Sequence, residues 1–172
     1  MKRVISLTVL NQSGVLNRIT GLFSKRHFNI ESITVGQTET EGVSRMTLVV
    51  NAQEEKEVEQ ITKQLNKQID VIKVTDITSQ SIVARELALI KVMSTPATRM
   101  ELQGLIQPFR ASVIDVSRES VVVQVTGEPE KIEVLIDLLK PYGIKEIART
   151  GTTAFTRGTQ RTSKEIKPIS IV

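Results

Sequence analysis

The stretch Arg3-Val4-Ile5-Ser6-Leu7-Thr8-Val9-Leu10-Asn11-Gln12-Ser13-Gly14-Val15-Leu16-Asn17-Arg18-Ile19 decides the fold, because its apolar period changes halfway. Ile5, Leu7 and Val9 alternate with Ser6 and Thr8, the two-residue period of a strand. Beyond Gly14 the spacing becomes helical: Val15, Leu16, Ile19, Leu22 and Phe23 fall on one stripe. Between them, Asn11-Gln12-Ser13-Gly14 is turn chemistry. Asn11 and Ser13 can cap backbone amides, and Gly14 removes a Cβ where the helix starts. Lys25, Arg26 and His27 close that helix and suit its negative end.

Outward from this stretch, residues 28–35 read as a strand and 36–42 as a polar loop. Residues 44–50 form a strand with Met46, Leu48 and Val50 inward. A helix over 54–67 carries Val58, Ile61 and Leu65, and 69–77 is a fourth strand. The order β-α-β-β-α-β then recurs about 80 residues later. Residues 86–93 are a strand. Thr95 caps a helix with Pro96 at its first position and a stripe of Leu102, Leu105, Ile106 and Phe109. Strands over 113–116 and 120–126 flank a turn at Arg118-Glu119. Pro129 starts a helix with Ile132, Leu135, Ile136 and Leu139 inward, and 142–148 is the last strand. Thr78-Ser79-Gln80-Ser81 is the polar linker. The expected fold is α+β: two tandem ferredoxin-like (βαββαβ) modules, each an antiparallel sheet with helices on one face. The other face of each sheet, rich in valine and isoleucine, requires cover from the other module or another subunit.

Composition narrows the chemistry. The 172 residues include no cysteine, one histidine and no tryptophan, and aromatics make up 3%. Disulfides, thiolate zinc sites and thiol catalysis are excluded, and a histidine-based triad has only His27 to draw on. The N-terminal apolar run is short and carries Ser6 and Thr8, so it reads as a strand of a soluble, cytoplasmic protein with no membrane span. From Arg149 onward five basic residues face one acid, which accounts for the chain's entire +4 excess; the rest holds 18 of each sign. A neutral body with a basic 159–172 tail lacks the footprint of a nucleic-acid-binding domain. RNA-recognition domains of this topology need aromatics on the central strands, and Met46-Thr47-Leu48-Val49-Val50 and Val121-Val122-Val123-Gln124-Val125 have none.

Two places can carry recognition. The 11–14 loop delivers a strand to a helix N-terminus, where free amides and the dipole attract an anion. Asn11 donates and accepts, Gly14 admits close approach, and Val15 and Leu16 add apolar surface, which suits a carboxylate with a short aliphatic side chain. A capped turn with no ligand explains the same residues. Asn29, between Phe28 and Ile30, either ends the helix with a turn bond or reads a ligand's ammonium or carboxylate. Asp115 and Glu119 read as solvated turn carboxylates and His27 as a cationic helix end; no P-loop, G-x-G-x-x-G or H-E-x-x-H is present.

The run from Asn11 to Ile19, with Gly21-Leu22-Phe23-Ser24-Lys25-Arg26-His27-Phe28-Asn29-Ile30-Glu31-Ser32-Ile33, resembles the regulatory (small) subunits of acetolactate synthase. The likeness continues through Ser44-Arg45-Met46-Thr47, Gln60-Ile61-Thr62-Lys63-Gln64-Leu65, Ala84-Arg85-Glu86-Leu87-Ala88-Leu89-Ile90-Lys91-Val92 and Glu146-Ile147-Ala148-Arg149-Thr150-Gly151. The resemblance implies an amino-acid-sensing ACT domain over 1–79, a second ferredoxin-like domain over 84–158 that activates the catalytic subunit, and a basic tail over 159–172. It implies no catalytic residue and no metal here. Thiamine diphosphate, magnesium and FAD belong to the separate catalytic (large) subunit, which makes acetolactate from pyruvate. Valine feedback is implied through an effector site of Asn11, Gly14, Val15 and Leu16, faced by Asn29 and Ile30 of a second copy in an ACT-domain homodimer.

Overall fold

A computed structural model describes residues 1–158; the predicted basic tail over 159–172 lies outside the described residues. The first module runs β1 (Lys2–Leu10), α1 (Val15–Lys25), β2 (Ile30–Gln37), β3 (Val43–Asn51), α2 (Glu55–Leu65) and β4 (Val71–Asp76). The second runs β5 (Ile82–Met93), α3 (Arg99–Ile106), β6 (Ser112–Val116), β7 (Ser120–Gly127), α4 (Pro129–Leu139) and β8 (Ile144–Arg149), followed by β9 (Thr153–Thr156). The sheet orders, β2-β3-β1-β4 and β6-β7-β5-β8, are the same antiparallel arrangement twice, as the periodicity predicts.

Alternation fixes which faces are dry. Ile5, Leu7 and Val9 of β1 lie beside Leu48, Met46 and Ser44 of β3, and the first two pairs are buried under Val15, Ile19 and Phe23 of α1 and Ile61 and Leu65 of α2. In the second module Ala88, Ile90 and Val92 meet Val125, Val123 and Val121 under Leu102, Ile106, Ile132, Leu135 and Leu139. Side chains of this size contribute about 1.5–3 kcal/mol each when fully buried, so these two stripes hold the helices to the sheets.

Helix ends depart from expectation where the backbone decides. His27 closes α1 through its backbone: it is left-handed (φ 57), its N–H donates to Ser24 O at 3.1 Å and the Phe28 N–H donates to Phe23 O at 3.1 Å. That is a Schellman cap, and it delays β2 from the predicted 28 to Ile30. Arg110 (φ 53) occupies the same topological place between α3 and β6, after a 3₁₀ turn at Gln107–Phe109. Pro96 is not the first residue of α3, which begins at Arg99. A separate turn precedes it, with Thr95 Oγ1 accepting from the Thr98 N–H at 3.3 Å. Ile69, predicted to open β4, is 91% exposed; the turn around it leaves Asp70 O to accept from the Leu10 N–H at 2.8 Å.

β9 lies beyond the strands that the sequence pattern predicts. It pairs with the first four residues of β5, Ile82 to Arg85, which precede the predicted strand start at 86. It also lies against the helix-free face of the first sheet: the Ala154 N–H donates to Thr47 Oγ1 at 3.3 Å, and Thr34 Oγ1 donates to Thr152 O at 3.0 Å. Thr47, Val49, Thr152 and Ala154 are buried there. Part of the cover expected for that face therefore comes from this chain's own end.

Candidate functional site

β1 ends at Leu10, and the 11–14 loop turns directly into α1. The Asn11 N–H donates to Gly42 O at 2.8 Å, tying the loop to the β2–β3 hairpin. Gly14 is the residue before α1 and is left-handed (φ 84), a conformation that favours glycine. Neither Asn11 nor Ser13 caps the helix, contrary to expectation; no side chain caps it. The Val15 N–H makes a long bond to Gln12 O at 3.4 Å, and among the described residues the Leu16 and Asn17 N–H groups have no acceptor. The start of α1 thus carries free amides and the positive end of the dipole, open to solvent.

A pair with no local signature in the sequence stands behind this loop. Arg18 Nη2 and Nε lie 2.6 and 2.8 Å from Oδ2 of buried Asp70, 52 residues away. A Cβ built on Gly14 would meet Arg18 Nη1 at 2.9 Å. The ion pair thereby fixes the wall of the loop and adds a small steric preference for glycine at residue 14.

Of the expected site residues, Asn11, Gly14 and Leu16 gather at one end of α1, all exposed. Val15 is buried in the core, so of the two apolar residues only Leu16, 46% exposed, offers side-chain surface. Asn29 and Ile30 sit at the opposite end of the helix, about 16 Å away along its axis for 11 residues at 1.5 Å each. Asn29 is exposed, its carbonyl accepting weakly from the Asn51 N–H at 3.5 Å, and Ile30 half-packs on the core. One chain does not bring the two groups together. β2, however, is an edge strand. Its far end, Gln37, lies beside Ser44, next to the Val43–Leu10 pair that leads into the 11–14 loop.

A cleft of about 540 Å³ lies between the modules, bordered by Ile30, Ser32, Glu86, Glu133, Arg149 and Thr152. Arg149 donates from Nε and Nη2 to buried Glu86 at 2.5 and 3.0 Å, and from Nη1 to Glu133 at 2.6 Å. Bonding to Glu86 first, and to Glu133, outweighs desolvation and holds the guanidinium above its ordinary range. Its donors are committed to structure and leave little for a ligand. His27, Asp115 and Glu119 form no common site, and among the described residues no three His, Asp or Glu side chains are placed to hold a metal. No helix among them is long and apolar enough to cross a membrane.

Two ferredoxin-like modules in tandem, the first opening on an uncapped helix start, define an ACT-type protein. Residues 5–73 match the family described as the AHAS small subunit-like ACT domain, and 85–158 match the small subunit of acetolactate synthase. The chain is 75% identical over all 172 residues to the acetolactate synthase small subunit of Bacillus subtilis, covering 100% of both proteins. It is 49% identical over 154 residues to that of Mycolicibacterium smegmatis, covering 90% of each. The crystal structure of the Thermotoga maritima small subunit superposes with a TM-score of 0.83 at 41% identity, covering 92% of this chain and 99% of that one. The chain belongs to the acetolactate synthase small-subunit family.

Proposed function

We propose that this chain is the regulatory partner of a catalytic acetolactate synthase subunit: it raises that subunit's activity and transmits valine inhibition to it. Thiamine diphosphate, magnesium and FAD chemistry stays with the catalytic subunit, alongside which this chain works in the cytoplasm. The observation that carries the reading is the uncapped start of α1 behind left-handed Gly14, with free Leu16 and Asn17 amides. A valine carboxylate satisfies those amides, Asn11 orients it, and Leu16 lies beside the isopropyl group.

Two copies complete the site. Antiparallel pairing of edge β2 with its symmetry mate sets the beginning of one strand beside the end of the other. Asn29 and Ile30 of a second copy then arrive at the sheet end that carries Asn11. The second module, whose first helix is preceded by Thr95-Pro96 and not by a glycine loop, is assigned to activation of the catalytic subunit.

The test is reconstitution. The full chain is mixed with the catalytic subunit of the same organism, and acetolactate is measured against valine, leucine and isoleucine. Activation that valine reverses, with a dimer by sedimentation, is the expected result. No activation, or activation indifferent to all three amino acids, overturns the reading.

A further inference from the structure

We infer that the groove between the helix-free face of the first sheet and β9 is a second binding site, for a small oxyanion that also carries a hydroxyl. It is independent of the proposed effector site.

Three neighbouring strands build it. Thr8 on β1 lies in register with Arg45 of β3 on one side and Lys73 of β4 on the other. One step along, Ser6 lies beside Thr75. Phe155 of β9 forms part of the wall, and the space is about 290 Å³, the size of a small metabolite. At about 4.8 Å per strand the two cationic residues start roughly 10 Å apart, and both side chains are long enough to converge over Thr8. The hydroxyls of Ser6, Thr8 and Thr75 make no side-chain hydrogen bond among the described residues, and the groove is lined by no carboxylate.

Arg45 supplies an independent sign. Three arginines among the described residues are half-buried: Arg3, Arg45 and Arg99. Arg3 pairs with Glu55 and Asp76, and Arg99 donates to Ser117 O at 2.9 Å. Arg45 alone of the three has no acceptor among the described residues, so its donors stay available to a ligand in the groove. Gln80 also borders the groove: its Nε2 donates to Asp76 O at 3.2 Å, and its buried Oε1 is left as a lone acceptor. Donors on one side and a lone acceptor on the other fit an oxyanion with one O–H. Hydrogen phosphate is the simplest such probe, and a hydroxy dicarboxylate such as malate carries the same groups.

The experiment titrates the full chain with inorganic phosphate and with malate by calorimetry at fixed ionic strength. Arg45→Gln and Lys73→Gln serve as variants, each checked for an unchanged melting temperature. One anion per chain should bind, at about 1 mM or tighter, and each substitution should weaken it about tenfold or more by removing a charge-assisted bond. Phosphate binding alone assigns a phosphoryl ligand; malate binding alone assigns a carboxylate ligand. Failure of both probes to saturate, or binding that survives both substitutions, overturns the inference.

Discussion

Gly14→Asp separates sensing from folding, provided that Gly14→Asn is measured beside it. Both substitutions add a Cβ at φ 84, 2.9 Å from Arg18 Nη1. Asn and Asp tolerate the left-handed region better than other residues, so the strain is about 1 kcal/mol for either. The displaced Arg18 head must also keep its contact with Asp70, which adds a second small cost common to both variants. In a chain of this size 1 kcal/mol corresponds to about 2–4 °C in melting temperature. The two variants should therefore melt slightly early and together.

They part company at the ligand. A carboxylate at residue 14 stands about 4 Å from the proposed valine carboxylate, a repulsion of about 4 kcal/mol at an effective dielectric of 20. Gly14 is exposed, so water screens much of this; about 1–2 kcal/mol should survive, or about 5–30-fold in affinity. Asn lacks that charge. The assay is valine inhibition of the reconstituted synthase, with unliganded activation and melting temperature as controls. The Asp curve should lie about 5–30-fold to the right of the Asn curve, with activation similar in both. Superimposable Asp and Asn curves would refute the charge argument. An Asp variant as valine-sensitive as the unmodified protein would remove the loop from the effector site.

His27→Gly and Arg110→Gly should each stabilise the fold by up to about 1 kcal/mol in urea unfolding, because glycine relieves a left-handed cap residue; a loss of stability at either position would contradict the backbone role assigned to it. Tyr142, the chain's one tyrosine, donates to Glu101 at 2.6 Å, and that bond first, then desolvation and the carboxylate's charge, raises its pKa above 10.0. Ultraviolet titration should find the phenol ionising above the ordinary value in the folded protein and shifting down in Glu101→Gln. Since the folded pKa is the raised one, any stability from this bond is present below pH about 10 and is lost as pH climbs through the folded value. Gly151→Ala should loosen the packing of the modules, since residue 151 is left-handed (φ 83) and a Cβ would stand 3.0 Å from Ser32 Cβ. Adding Ser32→Gly should recover the steric part of the lost stability and leave the backbone part; no recovery would mean that the contact is not the cause.

What the sequence makes legible here is what is local. The change of period between Val9 and Val15 sets a strand and a helix, and its repetition sets two modules, because alternation and the helical stripe each report which face meets the core. The 11–14 loop is legible as a recognition candidate for the same reason. Its competing reading, a turn capped by Asn11 or Ser13, is separable only in three dimensions, where no side chain reaches the free amides. The left-handed residues show the limit. Gly14 announces itself, whereas His27 and Arg110 reach the same region with a Cβ in place, so their residue type points to charge while their backbone does the capping.

The illegible features share one physical origin: each joins segments that no local pattern couples. Arg18 meets Asp70 across 52 residues, and Ala154 meets Thr47 across 107. β9 is four residues long with one buried side chain, too short for alternation to register. It holds its place because β5 continues four residues beyond its own sheet and offers a free edge, while the first sheet offers hydroxyls at Thr34 and Thr47 on a face that needs cover. The expectation of a valine- and isoleucine-rich face fails for the first sheet: its helix-free side carries mainly hydroxyl and cationic residues, because the apolar alternation is used up under the helices, and Thr34 and Thr47 are spent on the chain's own return strand. Ser6, Thr8 and Thr75 stand on the same face and are not so used. The division between the two sets follows from where β9 lies on the sheet: Thr34 and Thr47 stand under it, while Ser6, Thr8 and Thr75 border the groove with Arg45 and Lys73.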